Sequence, residues 1–323
     1  MITRVKTLVH AVAVLLLITV SFATSADIPT LLAEGRVDDA ISSLQNKLSA
    51  TPNDAESYNL MCRAYLSLGH WDRGIPYCEK SVKLAPDNSR YHLWLGRIYG
   101  EKADRASWFT AAGLAGKVRN EFEIAVRLNP DNVDARVDLG EFYLEAPGIV
   151  GGGRDKAEAQ AAALDKLDPA KAHWVRGRIA EKNKDLPTAE KEYRAAIGVS
   201  HGSALSWLNL ALFFRSHNRL DEMEDAIRHA GDAHAGHSEV LVDAAETLNR
   251  TGRNLPTAIE LLRRYLSSSS TVEAAPAFKA HYLLGTLLEK QGDKQQAAQQ
   301  YREALALAKS YSAAQDALNR MNR

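Results

Sequence analysis

The sequence has no surplus of charge of either sign. Lysine and arginine together number 40 among 323 residues, and aspartate and glutamate also number 40. Proteins that bind nucleic acids need an excess of basic side chains to neutralise phosphates, and this chain lacks one. The balance of charge therefore argues against nucleic acid as a partner.

Strand-forming sequence is also scarce. Alternating runs rich in valine, isoleucine and threonine are nearly missing, and no segment has the pattern of a β-strand. Alanine and leucine, which favour helices, abound instead. The composition predicts an all-α protein.

Cysteine occurs only twice, at Cys62 and Cys78. In an oxidising compartment the two residues could form a disulfide. A domain of this size does not need one for stability, and two small buried core residues explain the pair equally well. The sequence leaves both interpretations open.

Long apolar runs are missing except near the start of the chain. Arg4 and Lys6 precede an apolar stretch over residues 8–20, and small residues follow it. This order is typical of a secretory signal, and the stretch is shorter than the ~20 residues that span a bilayer. We expect cleavage after Ala26, or alternatively after Ala23, giving a periplasmic or secreted protein without a membrane span. Retention of the segment as an anchor is the alternative.

Prolines at regular intervals indicate a repeat. Successive spacings of 34, 44 and 39 residues separate Pro52, Pro86, Pro130 and Pro169, and Asn or Asp closely follows the first three. Proline breaks a helix interior, whereas Asn and Asp cap the start of the next helix. Each proline therefore predicts a boundary between two helices.

Between these boundaries, large and small apolar residues recur in a fixed order. The clearest copies contain Tyr58, Met61, Cys62 and Tyr65; His92, Leu95, Gly96 and Tyr99; Leu139, Gly140 and Tyr143; Trp207, Leu210, Ala211 and Phe214; and Leu284, Gly285 and Leu288. The order resembles the tetratricopeptide-repeat (TPR) family, whose unit is a helix–turn–helix of 34 residues. The resemblance implies an all-α solenoid, a right-handed superhelix of about seven to eight repeats over residues 27–323. A polar capping helix is expected at about 310–323.

Two departures from the repeat length stand out. The first lengthens the third unit at about 100–116, where we expect longer helices, and contains Trp108 and Phe109. These two aromatic residues either pack on the neighbouring repeat or form an exposed partner patch.

The second departure is a glycine-rich loop at 146–153. Its hypothesised functional residues are Pro147, Gly148, Gly151, Gly152 and Gly153. No strand precedes the loop and no Gly-Lys-Ser/Thr follows it, so a nucleotide phosphate loop is not supported. A structural spacer, a partner-binding loop and an anion site at the following helix remain as interpretations.

The TPR resemblance also places candidate ligand-binding residues on the concave groove, at fixed positions of the first helix of each repeat. They are Asn59, Arg63, Arg90, Trp94, Arg97 and Arg178. Arginine forks suit carboxylates, which predicts an acidic or C-terminal peptide as ligand. Alternatively, the arginines pair across neighbouring repeats with Glu101, Asp138, Glu141 or Glu145.

No catalytic motif is recognisable, and no cofactor is expected. His229, His234 and His237 lie close together in sequence, but their spacing matches no metal signature and solvated surface histidines explain them. The sequence thus predicts a non-enzymatic, exported TPR scaffold or adaptor that mediates protein–protein interaction in the cell envelope. The alternative is a transporter-associated TPR accessory that binds a small molecule or forms an oligomeric ring.

Overall fold

The computed structural model describes residues 27–321, and every regular element in that range is helical. The predicted signal segment, residues 1–26, lies outside the described residues. The helices are α1 (Ile28–Ala33), α2 (Val37–Ala50), α3 (Ala55–Ser67), α4 (Trp71–Leu84), α5 (Ser89–Ala103), α6 (Trp108–Leu128), α7 (Val133–Glu145), α8 (Arg154–Leu164), α9 (Pro169–Lys182), α10 (Leu186–Val199), α11 (Ala204–Ser216), α12 (Leu220–Asp232), α13 (Glu239–Thr251), α14 (Leu255–Ser267), α15 (Ala277–Gln291), α16 (Lys294–Leu307) and α17 (Ser312–Met321), with a 3-10 turn at Gly148–Val150.

Consecutive helices pack in pairs, and the pairs stack in chain order. Eight pairs run from α1–α2 to α15–α16, and α17 packs on the last of them. The predicted all-α solenoid of about seven to eight repeats is confirmed. Because a single pair cannot bury its apolar face, each repeat depends on its neighbours for a core.

Small residues allow the two helices of a pair to approach closely. A Cβ atom at Gly177 would lie 2.9 Å from the Tyr193 ring, and one at Gly285 would lie 2.6 Å from the Tyr301 ring. Both tyrosines are almost fully buried. Small residues on one helix therefore leave room for large residues on the other, and this pattern in the sequence determines how paired helices pack.

Polar caps set the helix starts near the prolines. The Asn132 side chain accepts a hydrogen bond from the Ala135 amide at 3.1 Å, and Asp168 accepts one from the Lys171 amide at 3.1 Å. Pro169 occupies the first turn of α9, where its missing N–H has no partner to lose.

The first and last repeats touch, which closes the solenoid into a ring. Phe278 on α15 is fully buried in the same apolar cluster as Leu31 and Leu44 of the first repeat. The Lys309 amide donates a hydrogen bond to the Asp38 carboxylate at 2.8 Å, across 271 residues of sequence. Gly35 lies in the turn between α1 and α2 and packs directly against the start of α15.

Cys62 and Cys78 are joined by a disulfide that links α3 to α4. Their Cα atoms lie 5.1 Å apart, and both residues are fully buried. The bond thus crosslinks the two helices of one repeat within the core. Within residues 27–321, no helix has the length and apolar character needed to cross a membrane.

We expect the double variant Cys62→Ser/Cys78→Ser to unfold more easily than the wild type. The disulfide closes a loop across a sequence separation of 16 residues. Loss of a crosslink of this length costs about 3 kcal/mol through the entropy of the unfolded chain. Urea denaturation with and without reductant measures the effect. The wild type should respond to reductant and the double variant should not.

Gly35→Ala should loosen the ring more than Gly252→Ala does. Both glycines have left-handed backbone, with φ of 72° and 66°, so alanine strains both sites similarly. Only the Gly35 Cβ would meet a neighbour, lying 2.7 Å from the Ala277 nitrogen, whereas Gly252 has open space. Thermal unfolding and small-angle X-ray scattering should show a larger loss of stability and a larger radius for Gly35→Ala. Equal behaviour of the two variants would contradict ring closure.

Candidate binding site on the concave face

Charged side chains on the first helices of neighbouring repeats pair across the concave face. Arg90 pairs with Glu56 at 2.7 Å, and Arg97 pairs with Asp138 at 2.6 Å. Arg178 holds two carboxylates, those of Glu141 at 2.7 Å and Glu145 at 2.9 Å. These predicted groove residues therefore form ion pairs that join neighbouring repeats.

Arg63 pairs across the ring instead. Its guanidinium donates two hydrogen bonds to Glu273, from the α14–α15 loop, one of them from Nε to Oε1 at 2.8 Å. Both side chains are largely buried, with 15% and 18% exposed. Bidentate arginine–carboxylate pairs of this kind are strong and directional. The pair fixes the loop over the concave face of the second repeat.

Trp94 lies beneath two of these arginines. The guanidinium carbons of Arg63 and Arg97 lie over its ring, at 4.8 Å and 4.9 Å from the centroid. The aromatic face adds cation–π attraction to the ion pairs. Trp94 is thus both a positioning element for the arginines and part of the concave surface.

Asn59 is placed differently from the other groove residues. It is fully buried, and neither its amide nitrogen nor its amide oxygen has a hydrogen-bond partner among the described residues. In the closed ring, its side chain is therefore not available on an open surface.

An apolar cavity of about 1140 Å³ adjoins Arg63, Trp94 and Arg97. Its walls come from α3, α5, α6 and α7, from the glycine-rich loop, and from the chain between Glu273 and Lys279. Alanines 111, 112 and 115 on α6 leave room where larger side chains would fill the space. Both departures from the repeat length therefore line the same cavity.

The lengthened α6 brings the first departure to the cavity. This helix has 21 residues and begins at Trp108, within the predicted insertion. The Trp108 side chain is 75% exposed and lines the cavity. This placement favours the exposed-patch interpretation of Trp108 over packing on a neighbouring repeat. The side chain of Phe109 lies outside the described part of the structure.

The glycine-rich loop brings the second departure to the cavity. Gly151 has left-handed backbone, and a Cβ at Gly152 would collide with the Ala146 carbonyl oxygen. The Arg119 guanidinium donates to the Val150 carbonyl at 3.2 Å, and the Gly153 amide donates to the Tyr143 carbonyl at 2.8 Å. The loop is thus held in one conformation.

Within this loop, Pro147, Ile149 and Val150 line the cavity, and Gly148 begins the 3-10 turn. The Ile149 side chain is 93% exposed. The Lys156 ammonium donates to the Gly151 carbonyl at 3.0 Å. The loop has one fixed conformation, as a structural spacer would, and it also presents an exposed isoleucine at the cavity, as a partner-binding loop would.

Reduced solvation makes ionisation of three carboxylates on the first helices of the repeats less favourable. Burial raises the pKa of Asp138 and of Glu141, although Arg97 and Arg178 lower these values in part. The pKa of Asp243 on α13 is raised to about 6, mainly by reduced solvation and then by the carboxylates of Glu246 and Glu239. Neutral or cationic groups would therefore be favoured near these side chains.

The three histidines noted in the sequence have separate partners. His229 stacks on Trp207 with ring centroids 4.4 Å apart, His234 Nδ1 lies 2.8 Å from the Gly231 carbonyl, and His237 pairs with Glu239. Among the described residues, no three metal-binding side chains come together.

Sequence reasoning missed Glu273 and Lys279, which line the cavity from the far end of the chain. Glu273 lies 210 residues from its partner Arg63. No local pattern marks it, because it belongs to the connection between two repeats. Only the closure of the ring brings it to the concave face.

Asp243→Asn should stabilise the protein slightly at pH 7 and have no effect below about pH 4, and the gain is small because Asp243 is exposed and solvent screens its charge. The folded protein holds the Asp243 proton more tightly than the unfolded chain, so the contribution of Asp243 to stability falls as pH rises from about 4 to about 6. Asparagine mimics the protonated carboxyl at every pH. Thermal midpoints across this range measure the effect, and Asp316→Asn on the exposed surface of α17 is the control. A difference that is constant with pH would contradict the raised pKa.

Comparison with known proteins agrees with the repeat architecture. Sequence models described as tetratricopeptide repeat match residues 31–98, 149–204 and 242–312, together more than half of the chain. The human protein O-mannosyl-transferase TMTC3 is 22% identical over 236 residues, covering 68% of this chain. The chain spans only 25% of that curated relative.

Among solved structures, yeast Tom70 shows the same fold. It superposes with a TM-score of 0.53 at 15% identity, covering 94% of this chain and 66% of Tom70. A thermophilic TPR protein from Thermus thermophilus is also similar, with a TM-score of 0.46 at 20% identity, covering 68% of this chain and 95% of that protein. The matched sequence models and the eight stacked helix pairs show that the chain belongs to the tetratricopeptide-repeat family.

Proposed function

We propose that the protein is an exported TPR scaffold that binds a segment of a partner protein in the cavity on its concave face. The observation that carries this proposal is the convergence of both repeat-length departures on one cavity. The regular repeat alone is enough to form the solenoid. Inserted residues that this packing does not require are therefore candidates for function. Trp108 and Ile149 offer large apolar surface there, as interaction sites do.

Two features support export to the cell envelope or beyond. The residues before position 27 have the order of a secretory signal. The buried disulfide between Cys62 and Cys78 is of a kind that persists in oxidising compartments and is rare in reducing ones. Both features fit a periplasmic or a secreted protein.

An acidic segment is one candidate chemistry for the partner. Arg63 already binds a carboxylate, that of Glu273, so this position has the geometry for one. A partner carboxylate would have to displace Glu273. Likewise, Asp138 already occupies Arg97, and Glu141 occupies Arg178.

A small-molecule accessory is the second candidate function. The cavity, at about 1140 Å³, is close to the size range of small-molecule pockets. A bound apolar compound that copurifies with the chain, in place of a protein partner, would favour this function.

We propose a binding role and not a catalytic one. The relative with a transferase name matches over a quarter of its own length, and a shared repeat fold does not carry a reaction with it. The concave charges are mostly engaged in ion pairs between repeats, which is a structural use of them.

Affinity capture from an envelope extract tests the scaffold function. The full chain, tagged at its C-terminus, is compared with Ala112→Phe, which fills the cavity, and with Ala162→Phe on the exposed surface of α8. We expect one reproducible partner protein to be captured by the wild type and by Ala162→Phe, and to be lost with Ala112→Phe. Equal thermal midpoints confirm that the variants are folded.

Two outcomes would contradict the proposal. Capture of the same partner by all three forms would place the interaction elsewhere on the surface. Capture of no protein by any form, with a small molecule retained, would favour the accessory function. Cell fractionation of the same tagged chain tests export, and recovery in the cytoplasm would contradict it.

A further inference from the structure

We propose that the connection between α14 and α15 is a releasable latch. When the Arg63–Glu273 pair separates, the first and last repeats part, and Arg63 and Asn59 on α3 become accessible. The inference goes beyond the proposed function, because it concerns how the ring opens and does not depend on what the cavity binds. Three observations carry it: the length and anchoring of the connection, the limited packing between the two ends of the ring, and a buried amide without a partner.

The connection between α14 and α15, here called the strap, covers residues 268–276. The equivalent connections after α2 and α4 cover only residues 51–54 and 85–88. In a regular repeat, a short turn of that kind leads from one helix pair to the next. The strap is therefore a further departure from the repeat, and stacking of the helix pairs does not require its extra residues.

The strap is anchored on its own side of the ring. The Tyr265 hydroxyl accepts a hydrogen bond from the Val272 amide at 3.2 Å and donates one to the Ala275 carbonyl. The Ser238 hydroxyl donates to the Ser270 carbonyl. Ala275 is also buried in the apolar cluster that contains Tyr265. If the ring opens, the strap therefore stays with the last repeats and leaves the second repeat.

Across the ring, the strap reaches the second repeat through the Glu273 carboxylate, which accepts two hydrogen bonds from Arg63. Apart from this pair, the ends of the ring share the apolar cluster around Phe278 and the hydrogen bond from the Lys309 amide to Asp38. The first and last repeats pack on each other less extensively than consecutive helices do. Removing one partner of a largely buried ion pair leaves the other without its counter-charge, so loss of Glu273 should favour the open ring.

The closed ring leaves a polar group unsatisfied beside this pair. Asn59 precedes Arg63 by one helical turn, so both side chains lie on the same face of α3. Asn59 is fully buried, and neither its amide nitrogen nor its amide oxygen has a hydrogen-bond partner among the described residues. Such an amide has lost its hydrogen bonds to water without replacing them. Closure therefore carries a free-energy cost at the place where the latch acts, and opening returns the amide to water.

Hydrogen–deuterium exchange of the full chain measures the opening. A terminal repeat that loses its neighbour frays, so amides in α1, α2, α15 and α16 should exchange faster when the ring opens, whereas α10 in the middle of the stack reports on global unfolding. We expect Glu273→Gln to speed exchange in the terminal repeats about tenfold relative to α10. Glu260→Gln, on the exposed surface of α14, also removes a carboxylate and should leave exchange unchanged.

Asn59→Leu should act in the opposite direction. Leucine is close to asparagine in size and needs no hydrogen bond, so the closed ring gains stability and exchange in the terminal repeats should slow about tenfold. In the double variant Asn59→Leu/Glu273→Gln, exchange should return toward the wild-type rate. Small-angle X-ray scattering should give a larger radius for Glu273→Gln than for the wild type, and no increase for Asn59→Leu.

Three outcomes would overturn the inference. Unchanged exchange in the terminal repeats of Glu273→Gln would mean that the pair does not hold the ring closed. Faster exchange spread equally over α10 would mean that the pair stabilises the whole fold and not the junction. Faster exchange in the terminal repeats of Asn59→Leu, with α10 unchanged, would mean that the amide stabilises the closed ring. The proposed scaffold function would survive each result, because loss of partner capture with Ala112→Phe tests it separately.

Discussion

Contact between the first and last repeats is the constraint on which the candidate site depends. Phe278 is buried among side chains of the first repeat, and the Arg63–Glu273 pair joins the second repeat to the α14–α15 loop. Without this contact, the concave face of the early repeats would be an open groove. With it, the chain from Glu273 to Lys279 becomes a wall, and the groove becomes a cavity. Closure therefore adds a wall to a cavity that stays open to solvent at Trp108 and Ile149.

The departures from the repeat explain why this cavity lies where it does. A regular repeat would place similar surfaces along the whole concave face. The lengthened α6 belongs to the third repeat and the glycine-rich loop to the fourth, and both border the same cavity. The loop keeps its shape because Arg119 and Lys156 bind its carbonyl groups and because two of its glycines have no space for a side chain. Rigidity lets the loop hold exposed Ile149 in place.

Charge has two separate uses on the concave face. Most arginines engage carboxylates of the next repeat, as Arg97 does with Asp138, and these pairs set the relation between neighbouring repeats. Among the described residues, Glu101, Asp104 and Lys279 of the cavity lining are outside these pairs, so groups of both signs remain available to a partner.

The sequence by itself determined the helices, their boundaries and the order of the repeats. These properties follow from local patterns: proline and Asn or Asp at helix starts, and small residues such as Gly177 opposite large ones such as Tyr193. The pairing of Arg97 with Asp138 could also be predicted from the sequence, because the repeat determines which positions of neighbouring first helices face each other. Only the tertiary structure decided that the ends meet, that Arg63 binds Glu273, and that two distant departures share one cavity. Small rotations between successive repeats add up along the solenoid, and no local pattern records their sum.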